Sequence, residues 1–243
     1  MAVASSSRRA GARAVAVWDA LDPILAAPDA GPLDVLDIGG GTGTSAVRIA
    51  GLGHNVTVID PSPDALAALD RRAREAGVTV DARQGDLAAL ADVADPAGAD
   101  IVLCHGVLEV VPDPAEALAG IREVLRPGGT LSLLVSQRTA AVLSRAIAGQ
   151  FAQAVDLIDD TAPQGRSGRR FSLDEVTGLL TTAGFEVGDV RGVRVFVDHV
   201  PGGLLDLDAS SGDALVELEQ RASTRADYLP LASQVHLLGS LRS

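Results

Sequence analysis

The fold is decided by one stretch of nine residues, Val35-Leu36-Asp37-Ile38-Gly39-Gly40-Gly41-Thr42-Gly43. Its first half is a short apolar run that predicts a buried strand. Its glycines predict a tight loop where the backbone comes close to a ligand, because glycine has no Cβ to block that approach. A helical segment over 45–52 follows. The pattern alone does not choose the ligand, since residues 41–46 also fit the dinucleotide fingerprint G-x-G-x-x-A.

Strand-like and helical segments continue to alternate after this unit. Further strands are predicted over 55–59, 78–82, 100–104 and 130–135, and helices over 63–76 and 114–125. The sequence then predicts a helix over 137–158, a polar loop over 159–170, a helix over 171–183, a strand over 186–197, a helix over 213–226 and a strand over 233–238. Such alternation implies a parallel sheet with helices on both faces. We therefore predict an α/β fold with a Rossmann-like, doubly wound, mostly parallel sheet of seven strands and a small helical cap.

The length and this order of segments suggest the domain organisation. A chain of 243 residues that is 47% hydrophobic can build one large domain with its own core. We expect residues 1–30 to form an N-terminal arm and helix that cover the ligand site. Residues 31–243 would form the Rossmann-like domain, with 138–170 inserted as a cap.

Composition limits the partners. The chain has 20 basic and 32 acidic residues, a net charge of −12, and every basic residue is an arginine. This charge disfavours tight non-specific binding to nucleic acid. The cluster of Arg71, Arg72 and Arg74 is interpreted as a solvated helix face. Cys104 is the only cysteine and the four histidines are scattered, so we expect neither disulfides nor a bound metal.

No stretch reaches the ~18 consecutive apolar residues that a membrane span requires. Residues 1–10 also lack the apolar core of a signal peptide and include Arg8 and Arg9. We therefore expect a cytoplasmic protein without a membrane partner.

Acidic residues stand at the ends of the first three predicted strands. Asp37 lies two residues before the glycine loop, Asp60 ends the second strand, and Asp86 follows the third. A carboxylate at the position of Asp60 can accept both hydroxyls of a ribose. Enzymes that use NAD share this feature, so Asp60 indicates an adenosine ribose without choosing the cofactor.

The acidic residues and the glycine loop, together with Arg126-Pro127-Gly128-Gly129 before the fifth strand, resemble the motifs of class I S-adenosylmethionine (SAM) methyltransferases. The motifs span residues 35–129 in the family's order. The resemblance implies that SAM is the cofactor and S-adenosylhomocysteine the product. It places Asp37 near the methionine amino group of SAM and Asp86 opposite the adenine amine.

Further stretches are similar to the tRNA 5-carboxymethoxyuridine methyltransferase family. These stretches are 13–25, His105-Gly106-Val107-Leu108-Glu109, Gly192-Val193-Arg194-Val195-Phe196 and Leu215-Val216-Glu217-Leu218-Glu219. Members of that family use SAM to methylate the carboxylate of a modified wobble uridine in tRNA. The resemblances imply a set of cofactor-binding residues: Arg13, Asp37, Gly39, Gly40, Gly41, Asp60, Pro61, Asp86, Leu87 and His105. Within this set, Arg13 would bind the methionine carboxylate and His105 would form the floor of the methyl-transfer pocket.

The catalytic residues are expected to be His105, Arg194 and Tyr228. A carboxylate acceptor is already ionised at neutral pH and needs only an arginine to orient it, for which Arg194 is the candidate by the family match. A phenol or alcohol would instead need His105 to take its proton. Tyr228 is expected to line the acceptor pocket, with a place in the core as the alternative.

Departures from the family fall on the acceptor side. The family's Tyr-Asn after strand five is replaced by Ser136-Gln137, and its lysine run leaves only Arg166, Arg169 and Arg170. The acceptor is therefore either modified tRNA or a small-molecule acid or phenol. A SAM-binding regulator without turnover is a third hypothesis. The partners expected are SAM and this acceptor, and the protein is expected to be a monomer or a homodimer.

Overall fold

A computed structural model describes residues 15–27, 31–158, 168–200 and 209–242. It contains one seven-stranded sheet, whose strands in spatial order are β3-β2-β1-β4-β5-β7-β6. The strands are β1 (Asp34–Ile38), β2 (Asn55–Asp60), β3 (Asp81–Gln84), β4 (Ala99–His105), β5 (Leu125–Ser136), β6 (Phe185–Val193) and β7 (Gln234–Leu241). The first five are parallel, and β7 lies antiparallel between β5 and β6. The predicted doubly wound, mostly parallel sheet is confirmed.

Helices connect the strands. They are α1 (15–25), α2 (Thr44–Gly51), α3 (Pro63–Ala76), α4 (Leu90–Val93), α5 (Pro114–Val124), α6 (Arg138–Ile147), α7 (Phe151–Ile158), α8 (Leu173–Thr182) and α9 (Ala209–Ser223). Side chains that accept hydrogen bonds from the first free backbone N–H groups cap three of them. Ser62 caps α3, Asp113 caps α5, and Ser172 caps α8 in a reciprocal capping box with Glu175. These caps define where each helix begins after its loop.

The helices cover both faces of the sheet. On one face α1, α2 and α3 bury residues such as Leu21, Ile49 and Leu69. On the other face α5 and α8 bury residues such as Leu118 and Leu180. A parallel sheet needs this double cover because its strands are apolar on both sides. The five parallel strands β1 to β5 end at one edge of the sheet, where the loops that follow them can form a site.

Helix α1 is attached to α2 as well as to the sheet. The guanidinium carbon of Arg48 in α2 lies 3.9 Å from the ring centroid of Trp18 in α1. The same guanidinium donates to the Asp22 carboxylate at 2.8 and 2.9 Å. The expected division into an arm over 1–30, a domain over 31–243 and a cap over 138–170 stays a prediction.

Several element boundaries differ from the predicted ones, and for three of them the structure shows the reason. The single helix over 137–158 is two helices, because Gly149 adopts φ +74° and Gln150 N donates back to Arg145 O, which ends α6. The third strand covers Asp81–Gln84 rather than 78–82, since its residues are mostly exposed at the sheet edge and carry no apolar pattern. The strand over 186–197 ends at Val193, because the backbone of Arg194 turns to φ +61°.

The described parts of the chain contain neither a membrane-spanning helix nor a group of metal ligands. None of the helices there is long and apolar enough to cross a membrane. No three His, Cys, Asp or Glu side chains within those ranges are grouped as ligands for a metal ion.

Candidate functional site

The glycine loop, residues 39–43, lies where β1 ends and α2 begins. Gly39 N donates to Ile59 O of the neighbouring strand at 2.7 Å, and Gly39 has φ +67°, a conformation that favours glycine. A Cβ on Gly40 would lie 2.6 Å from the Asp37 carboxylate oxygen Oδ2. The loop backbone therefore packs directly onto Asp37, as a larger residue could not.

Asp60, at the end of β2, is held in a fixed orientation. Its Oδ2 accepts from Gly41 N at 2.9 Å and its Oδ1 accepts from Ser62 N at 2.9 Å. Each carboxylate oxygen has a second lone pair, so both can still accept from a ligand. Pro61 follows at the exposed rim of this site. This geometry matches the pair of hydroxyls of a ribose.

Asp37 has the opposite surroundings. Only 4% of the residue is exposed, and no hydrogen-bond donor of the described residues reaches its carboxylate. Burial raises the pKa of Asp37 to about 7, with a smaller contribution from the negative charge of Asp60. A buried carboxylate without a donor is matched by a ligand cation, such as the amino group of SAM. The residues present therefore fit the cofactor that the sequence implies.

Asp86 follows β3 and caps the short turn Leu87–Ala89. Its Oδ1 accepts from Ala88 N at 2.9 Å and from Ala89 N at 3.0 Å. Its other oxygen makes no hydrogen bond in the parts of the chain that the structure describes, and the residue is exposed. Leu87 beside it is buried. Asp86 can thus present a fixed acceptor to an amine. The remaining expected cofactor residue, Arg13, lies outside the described residues.

Arg72 on α3 holds the far end of the glycine loop. Its Nη1 donates to the carbonyl oxygen of Thr42, to the Thr42 hydroxyl at 2.9 Å and to the Thr44 hydroxyl at 2.9 Å. Arg71, Arg72 and Arg74 are all exposed, as expected of a solvated helix face, and Arg72 in addition binds the glycine loop. A contact across 30 residues leaves no local pattern that could have identified it.

A cavity, which we call the arginine cavity, lies at the carboxyl end of β5 and the amino end of the antiparallel β7. Its volume is about 380 Å³, and its lining includes Ser136, Ser144, Arg170, Arg194, Asp198 and Gln234. Arg194 donates through Nη2 to Asp198 Oδ1 at 2.5 Å, and Asp198 Oδ2 accepts from the Ser233 hydroxyl at 2.6 Å. The charge of Arg194 is therefore already matched by an internal carboxylate.

Arg170 in the same cavity is different. Within the described ranges its half-buried guanidinium makes no hydrogen bond and no ion pair. Burial lowers the pKa of Arg170, and the positive charge of Arg145 lowers it further. In the sequence this residue was only a remnant of a basic run, because its burial depends on the fold.

The segment 168–171 positions Arg170. Arg169 N donates to Glu109 O at 2.7 Å and Phe171 N donates to Ser136 O at 3.0 Å, so the segment is attached on both sides of Arg170. Gly168 has φ +67°, and a Cβ there would lie 2.6 Å from the backbone oxygen of Glu109. The segment therefore contacts Glu109 as closely as a backbone allows.

The other expected acceptor residues occupy separate places. His105 ends β4 and is half-buried. The Tyr228 ring packs edge-on against Phe196, with ring centroids 5.9 Å apart, and Tyr228 is not among the described residues that line the arginine cavity. Gln137 is buried and donates through Nε2 to Leu229 O at 2.6 Å and to Ala232 O at 2.8 Å. Gln137 thus stabilises the chain before β7, while Ser136 faces the cavity.

Comparisons with known proteins identify the family of the chain. A family model described as a methyltransferase domain matches residues 36–133. The chain is 33% identical over 233 residues to the tRNA 5-carboxymethoxyuridine methyltransferase of Escherichia coli K12. The aligned region covers 93% of this chain and 86% of that protein. The chain is also 33% identical over 161 residues to a ubiquinone biosynthesis O-methyltransferase of Xanthomonas euvesicatoria, covering 65% of each.

Solved structures share the fold. A SAM-dependent methyltransferase from Methanosarcina mazei superposes with a TM-score of 0.61 at 18% identity, over 90% of this chain and 97% of that one. A 1,6-didemethyltoxoflavin N1-methyltransferase from Burkholderia thailandensis, solved with S-adenosylhomocysteine bound, gives a TM-score of 0.57 at 20% identity, over 96% of this chain and 79% of that one.

Proposed function

Because the chain belongs to the class I SAM-dependent methyltransferases, we propose that it methylates a carboxylate oxygen of its acceptor. SAM, rather than a dinucleotide, is its cofactor. By similarity to the E. coli relative, the acceptor we propose is the carboxymethoxy group of a modified wobble uridine in tRNA. The product would be a methyl ester.

Arg170 is the observation that carries this proposal. Its guanidinium has lost water by partial burial, the negative charge of Glu109 offsets only part of that loss, and no described residue accepts a hydrogen bond from it. An anionic ligand group would do so, and a carboxylate matches the guanidinium with two parallel hydrogen bonds. The cavity beside it has room for such a group and for the ring that carries it.

The residues of the chain would act mainly by binding and orientation. Bound SAM supplies an electrophilic methyl group on a positively charged sulfur. Asp60 would accept from the ribose hydroxyls and Asp37 would bind the amino group. Arg170 would hold the acceptor carboxylate, whose oxygen forms the new bond to the methyl carbon as the carbon–sulfur bond breaks. No proton has to move, and positioning of this kind can supply ~7–11 kcal/mol.

A small-molecule acid is the second candidate acceptor, favoured by the composition. The net charge of −12 repels the phosphates of tRNA. Proteins that bind unpaired RNA bases usually stack them on exposed aromatic rings, and this chain has only six aromatic residues.

Methyl transfer from isotope-labelled SAM to tRNA that carries carboxymethoxyuridine, and to a panel of free carboxylic acids and phenols, tests the proposal. Alkali hydrolyses a methyl ester but not a methyl ether, so release of labelled methanol identifies a carboxylate acceptor. Labelling of phenols alone would contradict the proposal, as would the absence of an ester on every acid tested.

The variant Arg170→Gln tests the role of that residue. We expect the KM for the acceptor to rise about 10- to 100-fold, as for a lost charged hydrogen bond, with the affinity for SAM unchanged. Arg221→Gln is the matched control, since Arg221 is exposed and paired with Glu217 on α9. An unchanged KM in Arg170→Gln would refute the role of Arg170.

A further inference from the structure

Three side chains, His105, Ser132 and His236, form a hydrogen-bonded cluster across three strands, which we call the buried triad. His105 Nε2 lies 2.8 Å from the Ser132 hydroxyl oxygen, which in turn lies 2.7 Å from His236 Nε2. The residues belong to β4, β5 and β7, and Ser132 and His236 are completely buried. The triad thus connects the end of β4, beside the glycine loop, with the interior of the sheet.

The direction of these hydrogen bonds is fixed at His236. Its Nδ1 is buried and makes no hydrogen bond with any residue that the structure describes. Burial lowers the pKa of His236 to about 4, with smaller opposing effects from Asp189 and Arg191 of β6, so the ring is neutral at pH 7 and carries a single N–H. A buried N–H without an acceptor is rarer and costlier than a bare acceptor atom. The proton of His236 therefore lies on Nε2.

The rest of the triad follows from this proton. His236 Nε2–H donates to Ser132. The serine oxygen has two lone pairs, but if His105 Nε2 donated to it as well, the single hydrogen of this fully buried hydroxyl would have no acceptor among the described residues. Ser132 therefore donates to His105 Nε2. The lone pair on His105 Nε2 is thereby occupied. We propose that Ser132 and His236 are positioning residues that lock His105 in its Nδ1–H form, as a hydrogen-bond donor that does not act as a base.

The fixed tautomer of His105 limits which acceptors the protein can methylate, and this step of the inference rests on the proposed function. To take a proton at Nε2, His105 would have to reverse the Ser132 hydroxyl and move the proton of His236 onto its unpartnered Nδ1. A phenol, whose unperturbed pKa is ~10, needs a base at neutral pH, whereas a carboxylic acid with a pKa of ~4 does not. The buried triad therefore selects acceptors that are ionised before they bind.

Nitrogen-15 NMR of the full-length protein with labelled histidine tests the lock without any acceptor, because ring-nitrogen shifts distinguish the tautomers. His54→Gln and His199→Gln assign the other two histidines. We expect a bare Nε2 in His105 and a protonated Nε2 in His236. Ser132→Ala should mix the tautomers of His105, while the control Ser240→Ala, an exposed serine on β7, should leave both signals unchanged.

A second variant guards against misfolding of Ser132→Ala. His236→Gln carries an amide N–H close to the position of Nε2–H and should preserve the tautomer of His105. A protonated Nε2 in His105, or a protonated Nδ1 in His236, would overturn the proposal.

Kinetics give an independent readout. Asn places its amide nitrogen close to the position of Nδ1, so His105→Asn should keep kcat for a carboxylate acceptor within about tenfold of wild type, while His105→Ala should not. A loss of about 10²- to 10⁴-fold in both variants would show that a donor at the position of Nδ1 is not what His105 contributes, and the inference would be refuted. If no carboxylate acceptor is methylated at all, the proposed function fails, yet the NMR result still decides the state of the triad.

Discussion

Asp37 and Asp60 are two buried carboxylates on neighbouring strands that differ in their hydrogen bonds. Asp60 accepts from two backbone N–H groups, whereas none reaches Asp37 among the described residues. The described part of the protein thus supplies hydrogen-bond donors to Asp60 and none to Asp37. We therefore expect cofactor binding to depend on the protonation of Asp37.

We expect the affinity for SAM to rise with pH towards neutrality. The raised pKa of Asp37, about 7, means that the carboxyl is protonated and uncharged below that pH. Only the ionised form attracts the cationic amino group of SAM, so affinity should increase by up to about tenfold per pH unit from about pH 5.5 to about pH 7. Calorimetric titration at several pH values measures this.

The variant Asp37→Asn should bind SAM more weakly and lose this pH dependence. The control Asp64→Asn, in the exposed first turn of α3, should behave as wild type. An unchanged pH dependence in Asp37→Asn would rule out Asp37 as its source.

The same carboxyl should destabilise the protein in the absence of SAM. Its pKa is higher in the folded state than the 3.8 of an unperturbed Asp, so the folded state binds the proton more tightly. Stability is therefore lost as pH rises from 3.8 to about 7, by at most about 4 kcal/mol. Thermal unfolding at pH ~8 should show a higher Tm for Asp37→Asn than for wild type, and the gap should close near pH ~4. A Tm difference between the two proteins that is constant with pH would contradict the raised pKa of Asp37.

At the scale of elements, the segment 168–171 carries Arg170 into the arginine cavity. Its backbone hydrogen bonds to Glu109 and Ser136 join it to the loop after β4 and to the last residue of β5, and the side chain of Phe171 is buried in the core. A change in the close contact at Gly168 should therefore weaken binding of the acceptor and leave binding of SAM unchanged.

Gly168→Ala tests this element. The new Cβ would lie 2.6 Å from Glu109 O, which forces the segment away and displaces Arg170, so the KM for the acceptor should rise while SAM affinity is unchanged. Gly149→Ala is the control. It has a similar positive φ, +74°, but nothing lies within 4 Å of its Cβ. Equal effects of the two variants would show that backbone strain, and not the contact, is responsible.

The side chain of Glu219 on helix α9 binds the backbone of the chain after β6, in addition to the apolar contact of Ala222 with Val195. Glu219 is buried and accepts from the backbone N–H groups of Val195, Phe196 and Val197 at 2.7 to 2.8 Å. Glu219→Ala leaves three buried donors unpaired and should lower the free energy of unfolding by about 3 kcal/mol or more. Urea denaturation measures this loss, and the exposed Glu217→Ala should change little. A loss below about 1 kcal/mol would mean that water replaces the carboxylate.

The elements could be predicted from the sequence where local signals fix them. The glycine loop, the acidic strand ends and the caps at Ser62 and Ser172 act within a few residues, so their patterns are readable. The buried triad joins residues 104 positions apart, and the burial of Arg170 depends on Glu109 and Ser136. No pattern along the chain encodes such contacts, and the family match to Arg194 did not reveal its pairing with Asp198.

At the scale of the whole molecule, the protein and its proposed tRNA substrate are both negatively charged and repel each other. The net charge is −12, and few arginines lie near the arginine cavity. A tRNA bound here would therefore be recognised through the modified base rather than through its phosphates.

We expect the affinity for tRNA to depend weakly on salt. Contact with about two phosphates predicts a loss of about tenfold between ~50 mM and ~200 mM salt, whereas six or more contacts predict about a thousandfold. Filter binding across this range measures the slope, with the affinity for a free carboxylic acid as the comparison. A thousandfold loss would mean that a basic surface outside the described residues binds the RNA.

The stacking of Arg48 on Trp18 has an optical consequence. Trp18 is the only tryptophan of the chain, so nearly all of the ultraviolet emission of the protein originates at this one contact between α1 and α2. Undocking of the N-terminal helix would expose the indole to water and shift its emission to longer wavelength. The fluorescence of the unlabelled protein is thus an intrinsic gauge of whether that helix stays in place.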